Sequence, residues 1–390
     1  MDFESLKNTT HADVYKGGNI AGHLKRLDNG LVEFRYTDGY FGPDIATTLP
    51  QTEITEPIAS AGGSLPPFFS GLLPEGHRLT LLSRATKSSF DDELTLLLAI
   101  GEDTPGDVQI VPAGRTPKNI TPELDLDSGT TDFQMITESV DRTGIPGVQD
   151  KASASMINTP VSTQGHAAIL KIDPPDHPHL VKNEALHLSH ARSLGIPISD
   201  FSIVQDSAGI PGLLVSRFDR TKDGSRLAME DAGQVLGIYP GRKYAVDTEE
   251  VIMGLAQRTR APMIAKRNLY LQFLFAWLTG NGDLHAKNVA ILQDPSAHWG
   301  VSPVYDIPCT AIYRDFSLAL PIAGRTKRVR KKHWDECADS IGLPQSAARS
   351  VMSLALSIAT KIDLADLPFS GSPLHGAQRE LRFRRNELLD

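Results

Sequence analysis

The sequence has only two cysteines, Cys309 and Cys337. This scarcity excludes a disulfide framework and the paired-cysteine spacing of a zinc site. The sequence also lacks an apolar run of about 18 residues, the length at which a membrane helix becomes a candidate. Its first residues show no charged start followed by an apolar stretch, as a secretion signal would. We therefore expect a cytoplasmic protein with no membrane contact.

The chain also lacks an excess of basic residues. Its 39 Lys and Arg stand against 47 Asp and Glu, which gives a formal net charge of −8. Such an acidic chain is unlike proteins whose main function is to bind nucleic acid. The exception is a basic run, residues 325–332 (RTKRVRKK). Such runs are usually solvated surface, although this one could contact a polyanion.

Length and composition predict a globular protein with two or three structural units. The chain has 390 residues, of which 40% are hydrophobic and 22% charged, enough to bury more than one core. A polar, proline-bearing and aperiodic stretch, residues 114–133, predicts the first boundary. We expect an N-terminal unit over residues 1–115, a second unit over 134–222 and a mainly helical third unit over 223–390.

Local patterns predict the elements of these units. Val32, Phe34 and Tyr36 alternate with charged residues after a turn-forming Asp-Asn-Gly, which predicts a β-hairpin over residues 12–37. Further strands are expected over residues 167–172, 200–205 and 212–218. Helices are expected over residues 91–100, 181–194, 248–257, 267–278, 332–341, 345–362 and 377–389.

In one stretch, residues 277–292 (WLTGNGDLHAKNVAIL), several polar residues lie between two apolar segments. An apolar helical run ends at Gly-Asn-Gly, which allows a sharp turn because glycine and often asparagine tolerate positive φ. The loop that follows presents Asp283, His285, Lys287 and Asn288, and a short apolar strand comes at once. So many polar side chains in one loop indicate a chemical role.

Asp283, Asn288 and Asp306 together supply the groups that phosphoryl transfer needs. One carboxylate accepts or orients the attacking hydroxyl, while an asparagine and a second carboxylate offer oxygen ligands to Mg²⁺. The Asp283-to-Asn288 spacing matches the catalytic loop of protein kinases. Alone, however, this spacing is common by chance, and His285 could be an ordinary hydrogen-bonded loop histidine.

Upstream residues strengthen the hypothesis of a phosphotransferase. Lys171 lies in an apolar strand (AAILKI), and Glu184 lies in the helix that follows. A lysine on such a strand is usually exposed at an edge or on the solvent face. The alternative is a phosphate-pairing lysine held by a helix carboxylate, as on the third strand of kinases.

Two further segments could contact a nucleotide. The loop over residues 144–151 (GIPGVQDK) has two glycines and a proline, so its amides could approach phosphate closely. The apolar strand that ends in Ser216, Arg217 and Phe218 lies where a kinase hinge would bring backbone groups to adenine.

Taken in order, Lys171, Glu184, SRFDR, GDLHAKN and YDI resemble the HipA-type toxin serine/threonine kinases. The resemblance extends over nearly the whole chain, because LPPFFSGLLPEG and LLLAIGEDTPGDVQIVP are similar to the family's N-terminal unit. GIPGVQDK resembles its nucleotide loop. The resemblance implies an α+β chain with a two-lobed protein-kinase-like fold. One lobe would be a mixed β lobe and the other helical, with an added N-terminal β-rich subdomain.

The resemblance also implies ATP and Mg²⁺ as cofactors. Asp283 would be the catalytic acceptor, and Asn288 and Asp306 would hold the metal ion. The residues expected to bind nucleotide are Pro146, Gly147, Val148, Gln149, Asp150, Lys151, Lys171, Glu184, Ser216, Arg217, Phe218, His285, Lys287 and Asn288.

As partners, the family implies a small HipB-like helix-turn-helix antitoxin, with DNA reached only through that antitoxin. It implies an aminoacyl-tRNA synthetase as the protein substrate, whose phosphorylation would inhibit translation and growth. The family's autophosphorylated serine falls here at Gly144, which has no hydroxyl. Self-inactivation should therefore be absent or moved, with Thr143, Ser153 and Ser155 as the nearest candidates.

Two alternatives stay open. GDLHAKN is also close to the catalytic motif of aminoglycoside and choline phosphotransferases, although Asn281 stands where those enzymes have histidine. The other alternative is a non-catalytic co-repressor that acts with an antitoxin. The presence of Lys171, Asp283, Asn288 and Asp306 argues against it, because a protein without activity need not keep them.

Overall fold

The structure, a computed structural model, describes residues 3–54, 56–60, 64–118, 130–133, 135, 156–163 and 166–389. Within these ranges the fold is α+β, as expected, with three antiparallel sheets and a large helical region. No helix in these ranges is both long and apolar enough to cross a bilayer. The unit boundaries expected at residues 115, 134 and 222 stay predictions.

Five antiparallel strands form the first sheet: β1 His11–Lys16, β2 Asn19–Arg26, β3 Val32–Tyr36, β4 Ile58–Ser60 and β5 Val108–Pro112. Their order is β4-β3-β2-β1-β5. The hairpin predicted over residues 12–37 is a three-stranded meander, because Gly17 and Gly18, both with positive φ, form an additional turn. The helices beside this sheet are α1 Phe3–Leu6, α2 Pro67–Gly71, α3 Gly76–Thr86 and α4 Glu93–Ile100.

The second sheet has the four strands β6 Ile157–Thr163, β7 His166–Ile172, β8 Phe201–Gln205 and β9 Pro211–Ser216, in the order β6-β7-β9-β8. Helix α5, Leu180–Ala191, connects β7 to β8. Strand β9 ends two residues before the predicted Phe218, because the chain turns at Phe218 and Asp219. Asn183 on α5 exchanges two hydrogen bonds of 2.9 Å with the backbone of Cys309, which fixes this helix to the helical region.

The remaining chain is mainly helical, with a small sheet of β10 Met229–Asp231, β11 Ala290–Gln293 and β12 Trp299–Val301. The predicted helices all occur, although α8 and α11 begin earlier than expected. Pro262 starts α8, where proline suits the first turn because that turn needs no N–H partner. The helices are α6 Ala232–Val235, α7 Thr248–Arg258, α8 Pro262–Thr279, α9 Lys331–Ser340, α10 Gln345–Ala359 and α11 Gly371–Asn386.

Helix α8 is the centre of the helical region. All residues from Leu269 to Thr279 are buried, so this part of the helix is surrounded by protein rather than amphipathic. The rings of Tyr270 and Trp277 lie 5.5 and 5.7 Å from the ring of Trp334, which is itself fully buried. This packing holds the C-terminal end of α8, where the polar loop begins, in a fixed position.

A buried ion cluster joins the N-terminal unit to the segment after β9. Asp219 accepts hydrogen bonds from Arg217 Nη2 at 2.9 Å, Arg220 Nη1 at 2.7 Å and the Gly106 amide at 2.9 Å. Arg217 and Arg220 also contact Asp103, at 2.7 and 3.1 Å. Burial alone would raise the pKa of Asp219, but Arg217 and Arg220 hold it below its usual value.

Replacing Asp219 by Asn will lower the free energy of unfolding by about 3–5 kcal/mol, because it leaves two buried guanidinium groups with one carboxylate between them. Urea unfolding of the purified protein measures the change. Asp223→Asn, at an exposed position four residues further along, is the matched control and should leave stability nearly unchanged. Equal stability of the two variants would contradict the prediction.

Candidate active site

Two glycines set the path of the polar loop after α8. Gly280 ends the helix with φ 76°, and a Cβ there would lie 2.9 Å from both Ala311 Cβ and Leu381 Cδ2. At Gly282 a Cβ would lie 2.6 Å from the Ser317 carbonyl oxygen. Real Cβ atoms do not approach so closely, so larger residues would displace the loop at either position.

Asn281 and Asn288 hold the loop in shape from inside. Asn281 is buried; its Oδ1 accepts the Asp283 amide at 2.8 Å and its Nδ2 donates to the Asp306 carbonyl at 3.4 Å. Asn288 Nδ2 donates to the Asp283 carbonyl at 3.0 Å. The structure thus brings together the predicted Asp283, Asn288 and Asp306. It also adds Asn281, for which the sequence indicated only a turn.

The predicted lysine–carboxylate pair forms, and it includes Asp306. Lys171 Nζ lies 2.9 and 3.0 Å from the two carboxylate oxygens of Glu184 and 3.2 Å from Asp306 Oδ1. Both Lys171 and Glu184 are buried. Burial alone would lower the pKa of Lys171, but Asp306 and Glu184 raise it well above its usual value. Lys171 is therefore not an exposed edge lysine, the usual case for such a strand.

Asp306 lies in an unusual backbone conformation. Its φ is 57°, in the left-handed region that costs about 1–3 kcal/mol for a residue other than glycine. The Lys171 ammonium holds its carboxylate and Asn281 holds its carbonyl. Burial would raise the pKa of this carboxyl, but Lys171 lowers it below its usual value. Asp306 therefore stays charged.

Asp283 is half-buried, and its Oδ1 accepts a hydrogen bond of 3.0 Å from the Tyr244 hydroxyl. Burial, with a smaller contribution from Asp306, raises the pKa of Asp283 to about 6, although the Tyr244 hydrogen bond acts in the opposite direction. Tyr244 is 44% exposed, so this contact lies at the mouth of the site. A carboxylate with a pKa just below neutrality suits a general base.

His285 is buried behind Tyr244, and the two ring centroids are 5.3 Å apart. Its Nδ1 has no hydrogen-bond partner among the residues that the structure describes. Burial, with help from the Lys243 ammonium, lowers the pKa of His285 to about 4, so the imidazole is neutral near physiological pH. A buried ring nitrogen without a protein partner is a position where a bound ligand could supply one.

Lys287 points away from the other loop residues, towards the N-terminal unit. Its Nζ donates to the carbonyls of Gly71 at 2.9 Å and Leu73 at 3.3 Å, and lies 3.9 Å from Glu75 Oε1. Glu75 Oε2 pairs with Lys243 Nζ at 2.6 Å. The nucleotide contact expected of Lys287 stays a prediction, while its observed contacts brace the loop. Sequence reasoning missed Glu75, Lys243 and Tyr244.

The predicted hinge residues have other backbone partners. The Ser216 amide donates to the Asp200 carbonyl at 2.8 Å, and the Arg217 amide donates to the Ala167 carbonyl at 3.0 Å. These two donors are therefore occupied, and the Arg217 carbonyl accepts the Arg220 amide at 3.3 Å, so the expected adenine contact stays a prediction. The Phe218 ring lies 5.6 Å from the ring of Tyr305, directly before Asp306.

Several predicted positions lie outside the described residues. These are Gly144 and the candidate phosphorylation sites Thr143, Ser153 and Ser155, together with the nucleotide-loop residues Pro146, Gly147, Val148, Gln149, Asp150 and Lys151. Within the described ranges, no three His, Cys, Asp or Glu side chains form a metal-holding group. Mg²⁺ does not require one, since it is commonly bound by one or two carboxylates together with substrate phosphates.

Comparison with known families matches both parts of the chain. Residues 143–362 match the HipA-like C-terminal domain, and residues 12–111 match the HipA N-terminal domain. The first match alone covers more than half of the chain.

Alignments with related proteins cover most of the sequence. The chain is 28% identical over 383 residues, 90% of each protein, to the putative kinase Y4dM of Sinorhizobium fredii. It is 28% identical over 306 residues, 69% of each protein, to the serine/threonine-protein kinase toxin HipA of Shewanella oneidensis. A structure of HipA with HipB and operator DNA from Shewanella oneidensis MR-1 superposes with a TM-score of 0.74 at 22% identity, over 97% of this chain and 96% of that one. This superposition confirms the expected fold.

Replacing Lys171 by Met will lower the free energy of unfolding by about 3–5 kcal/mol, because Glu184 then keeps a buried carboxylate without a counter-charge. The double variant Lys171→Met/Glu184→Leu should recover much of this loss, since only the half-buried Asp306 then lacks its counter-charge. Chemical unfolding measures both. Lys182→Met, at an exposed position on α5, is the control and should be close to neutral. Additive losses in the double variant would show that the pair is not coupled.

Proposed function

This chain belongs to the HipA family, and from that premise we propose that it is a toxin kinase that transfers the γ-phosphate of ATP to a serine or threonine hydroxyl of a protein. The observation that carries the proposal is the position of Lys171 Nζ, within 3.2 Å of both Glu184 and Asp306. Kinases use a lysine held in this way to pair with ATP phosphates. The Sinorhizobium and Shewanella relatives, a putative kinase and a serine/threonine-protein kinase toxin, support the same activity.

In the proposed reaction Asp283 accepts a hydrogen bond from the acceptor hydroxyl and then takes its proton. Phosphoryl transfer depends on positioning and charge stabilisation rather than on covalent chemistry by the protein. Asn281 and Asn288 fix the backbone of Asp283, which aims its carboxylate. Since Tyr244 already donates to Oδ1, the acceptor either displaces the phenol or uses the second oxygen.

The residues present fit Mg²⁺ at Asn288 and Asp306. The hydrogen bond to the Asp283 carbonyl uses only the nitrogen of the Asn288 amide, and Asp306 is kept as a carboxylate by Lys171. Oxygen donors of these two kinds suit this ion. When bound, it would neutralise charge on the phosphates of ATP. The orphaned His285 Nδ1 would face the same ligands.

The partners are proposed from the family. A HipB-like antitoxin is supported by the Shewanella HipA, which was solved with HipB and operator DNA, and this chain would reach DNA only through such a partner. An aminoacyl-tRNA synthetase is the proposed substrate, with inhibition of translation and growth as the result. The basic run is exposed at Arg325, Lys327, Arg328, Arg330 and Lys332, as a solvated surface or a polyanion contact would require.

Restraint of the activity would come mainly from the antitoxin, because Gly144 replaces the family's phosphorylated serine. Thr143 would be the first alternative site, ahead of Ser153 and Ser155. A small-molecule phosphotransferase is a weaker candidate, since Lys287 and Lys243 join the catalytic loop to an N-terminal unit that such enzymes do not have.

Asp283→Ala will lower the rate of phosphate transfer from labelled ATP to bacterial lysate proteins by at least about 100-fold, because the acceptor hydroxyl loses its base. The label should be on serine or threonine, which phosphoamino-acid analysis decides. Asp294→Asn, at an exposed site on the turn after β11, should keep full activity. Equal labelling by wild type and Asp283→Ala would show that another group is responsible.

The activity will rise with pH through a midpoint near pH 6, because Asp283 has a pKa of about 6 and must be ionised to accept a proton. Tyr244→Phe removes a hydrogen bond that lowers this pKa, so its midpoint should lie at a higher pH. The pH profile of kcat/KM for ATP reports the free enzyme. Tyr239→Phe is the control, and a midpoint that stays unchanged in Tyr244→Phe would refute the role given to the phenol.

A further inference from the structure

Tyr244 has its hydroxyl where a kinase substrate would bring its own. The phenol donates a hydrogen bond of 3.0 Å to Asp283 Oδ1, the carboxylate proposed above as the base. Among the described residues no other side chain donates to this carboxylate. A general base must lie within about 2.6–3.2 Å of the atom whose proton it takes. The Tyr244 hydroxyl therefore meets the distance requirement for a phosphate acceptor.

The segment that carries Tyr244 is fastened to the catalytic loop and to the N-terminal unit. The carbonyl of Lys243 accepts the Ala286 amide at 3.3 Å, and its Nζ pairs with Glu75 Oε2 at 2.6 Å. The Tyr244 ring packs on His285, with 5.3 Å between the ring centroids. Backbone, side-chain and ring contacts thus seat this short segment on the loop, as a bound substrate peptide would be seated.

The phenol is accessible and keeps its proton. Tyr244 is an exposed residue. Desolvation of its buried part, together with the charge and hydrogen bond of Asp283, raises the pKa of the phenol well above its usual value. A hydroxyl on the same chain has a high effective concentration at the base, because it is already positioned there. This advantage lets a tyrosine react in a site that otherwise modifies serine or threonine.

We propose that Tyr244 is an internal acceptor, which the kinase phosphorylates on its own chain and which then restrains its activity. This rests on the kinase activity proposed above. The phenol oxygen bonds to the γ-phosphorus of ATP, the bond from that phosphorus to the β,γ-bridging oxygen breaks with release of ADP, and the phenol proton passes to Asp283. The product is phosphotyrosine at position 244, a site separate from Thr143.

A phosphate on Tyr244 would oppose further catalysis. It would add about −1.5 to −2 charges beside Asp283. The negative charges of Glu75 and Asp315 also act on this phenol, so the surroundings are already acidic. The added charge would raise the pKa of Asp283 and repel the phosphates of ATP. Tyr244 would thus supply a self-restraint that Gly144, which has no hydroxyl, does not.

The test incubates the full chain with ATP and Mg²⁺, removes the nucleotide and locates phosphate by mass spectrometry. The tryptic peptide over residues 244–258 contains Tyr244 and one other hydroxyl, that of Thr248. Phosphate should be present on Tyr244 in the wild type and absent in Asp283→Ala, which lacks the base. Tyr239→Phe, which removes an exposed tyrosine five residues earlier, is the matched control and should still be phosphorylated on Tyr244.

A mixture of two chains shows whether the transfer is internal. Wild type with heavy isotopes is incubated with unlabelled Asp283→Ala, and phosphate should appear on the heavy Tyr244 peptide alone. Phosphate on the light peptide would show transfer between molecules and overturn the internal route. Preincubation with ATP should lower the later labelling of lysate proteins by the wild type but not by Tyr244→Phe. An equal decline in both would refute the restraint.

Lysate proteins in the same reactions separate this proposal from the kinase activity on which it rests. Labelled lysate proteins with an unmodified Tyr244, or with phosphate on Thr248 instead, would overturn the proposal and leave the kinase activity standing. Labelled lysate proteins together with phosphate on Tyr244 would support both. If neither is labelled, the kinase activity is refuted, and the internal acceptor is refuted with it.

Discussion

The candidate site depends on one buried ammonium group. Lys171 on β7 can remain charged inside the protein only because Glu184 on α5 and Asp306 in the helical region surround it. These three residues come from three different parts of the chain, so their meeting point fixes the sheet, the helix and the catalytic loop relative to one another. The left-handed backbone of Asp306 shows that the surrounding structure, and not local preference, determines this arrangement.

The N-terminal unit takes part in this site through charged contacts. Lys287 leaves the loop to donate to the carbonyls of Gly71 and Leu73, and Glu75 pairs with Lys243. Away from the loop, the Thr47 amide and hydroxyl donate to buried Glu230, whose pKa burial raises to about 7. A lysine ammonium is strongly hydrated in water. Its burial against the Gly71 and Leu73 carbonyls therefore indicates that the N-terminal unit and the catalytic loop form a specific interface.

The sequence predicted those features that depend on neighbouring residues. Apolar runs located β7 and α8, and the spacing from Asp283 to Asn288 located the loop. The missed contacts join residues far apart in the chain, such as Tyr244 with Asp283 or Glu75 with Lys243, and no local pattern contains such pairs. Lys287 shows that a residue's place in a motif does not predict the direction of its side chain. Its place in the motif was evident, but the direction of its side chain follows from an N-terminal carbonyl 216 residues away.

One continuous series of contacts connects the N-terminal unit to the proposed base. Glu75 fixes Lys243, the next residue Tyr244 donates to Asp283, and the Tyr244 ring packs on His285. The Tyr244 hydroxyl occupies one of the two carboxylate oxygens of Asp283 to which an acceptor hydroxyl would donate. Because the backbone links Lys243 directly to Tyr244, a shift of the N-terminal unit would move the phenol relative to the carboxylate. The wall beside Asp283 is therefore built jointly by the N-terminal unit and the helical region, so the position of the proposed base depends on contacts from both.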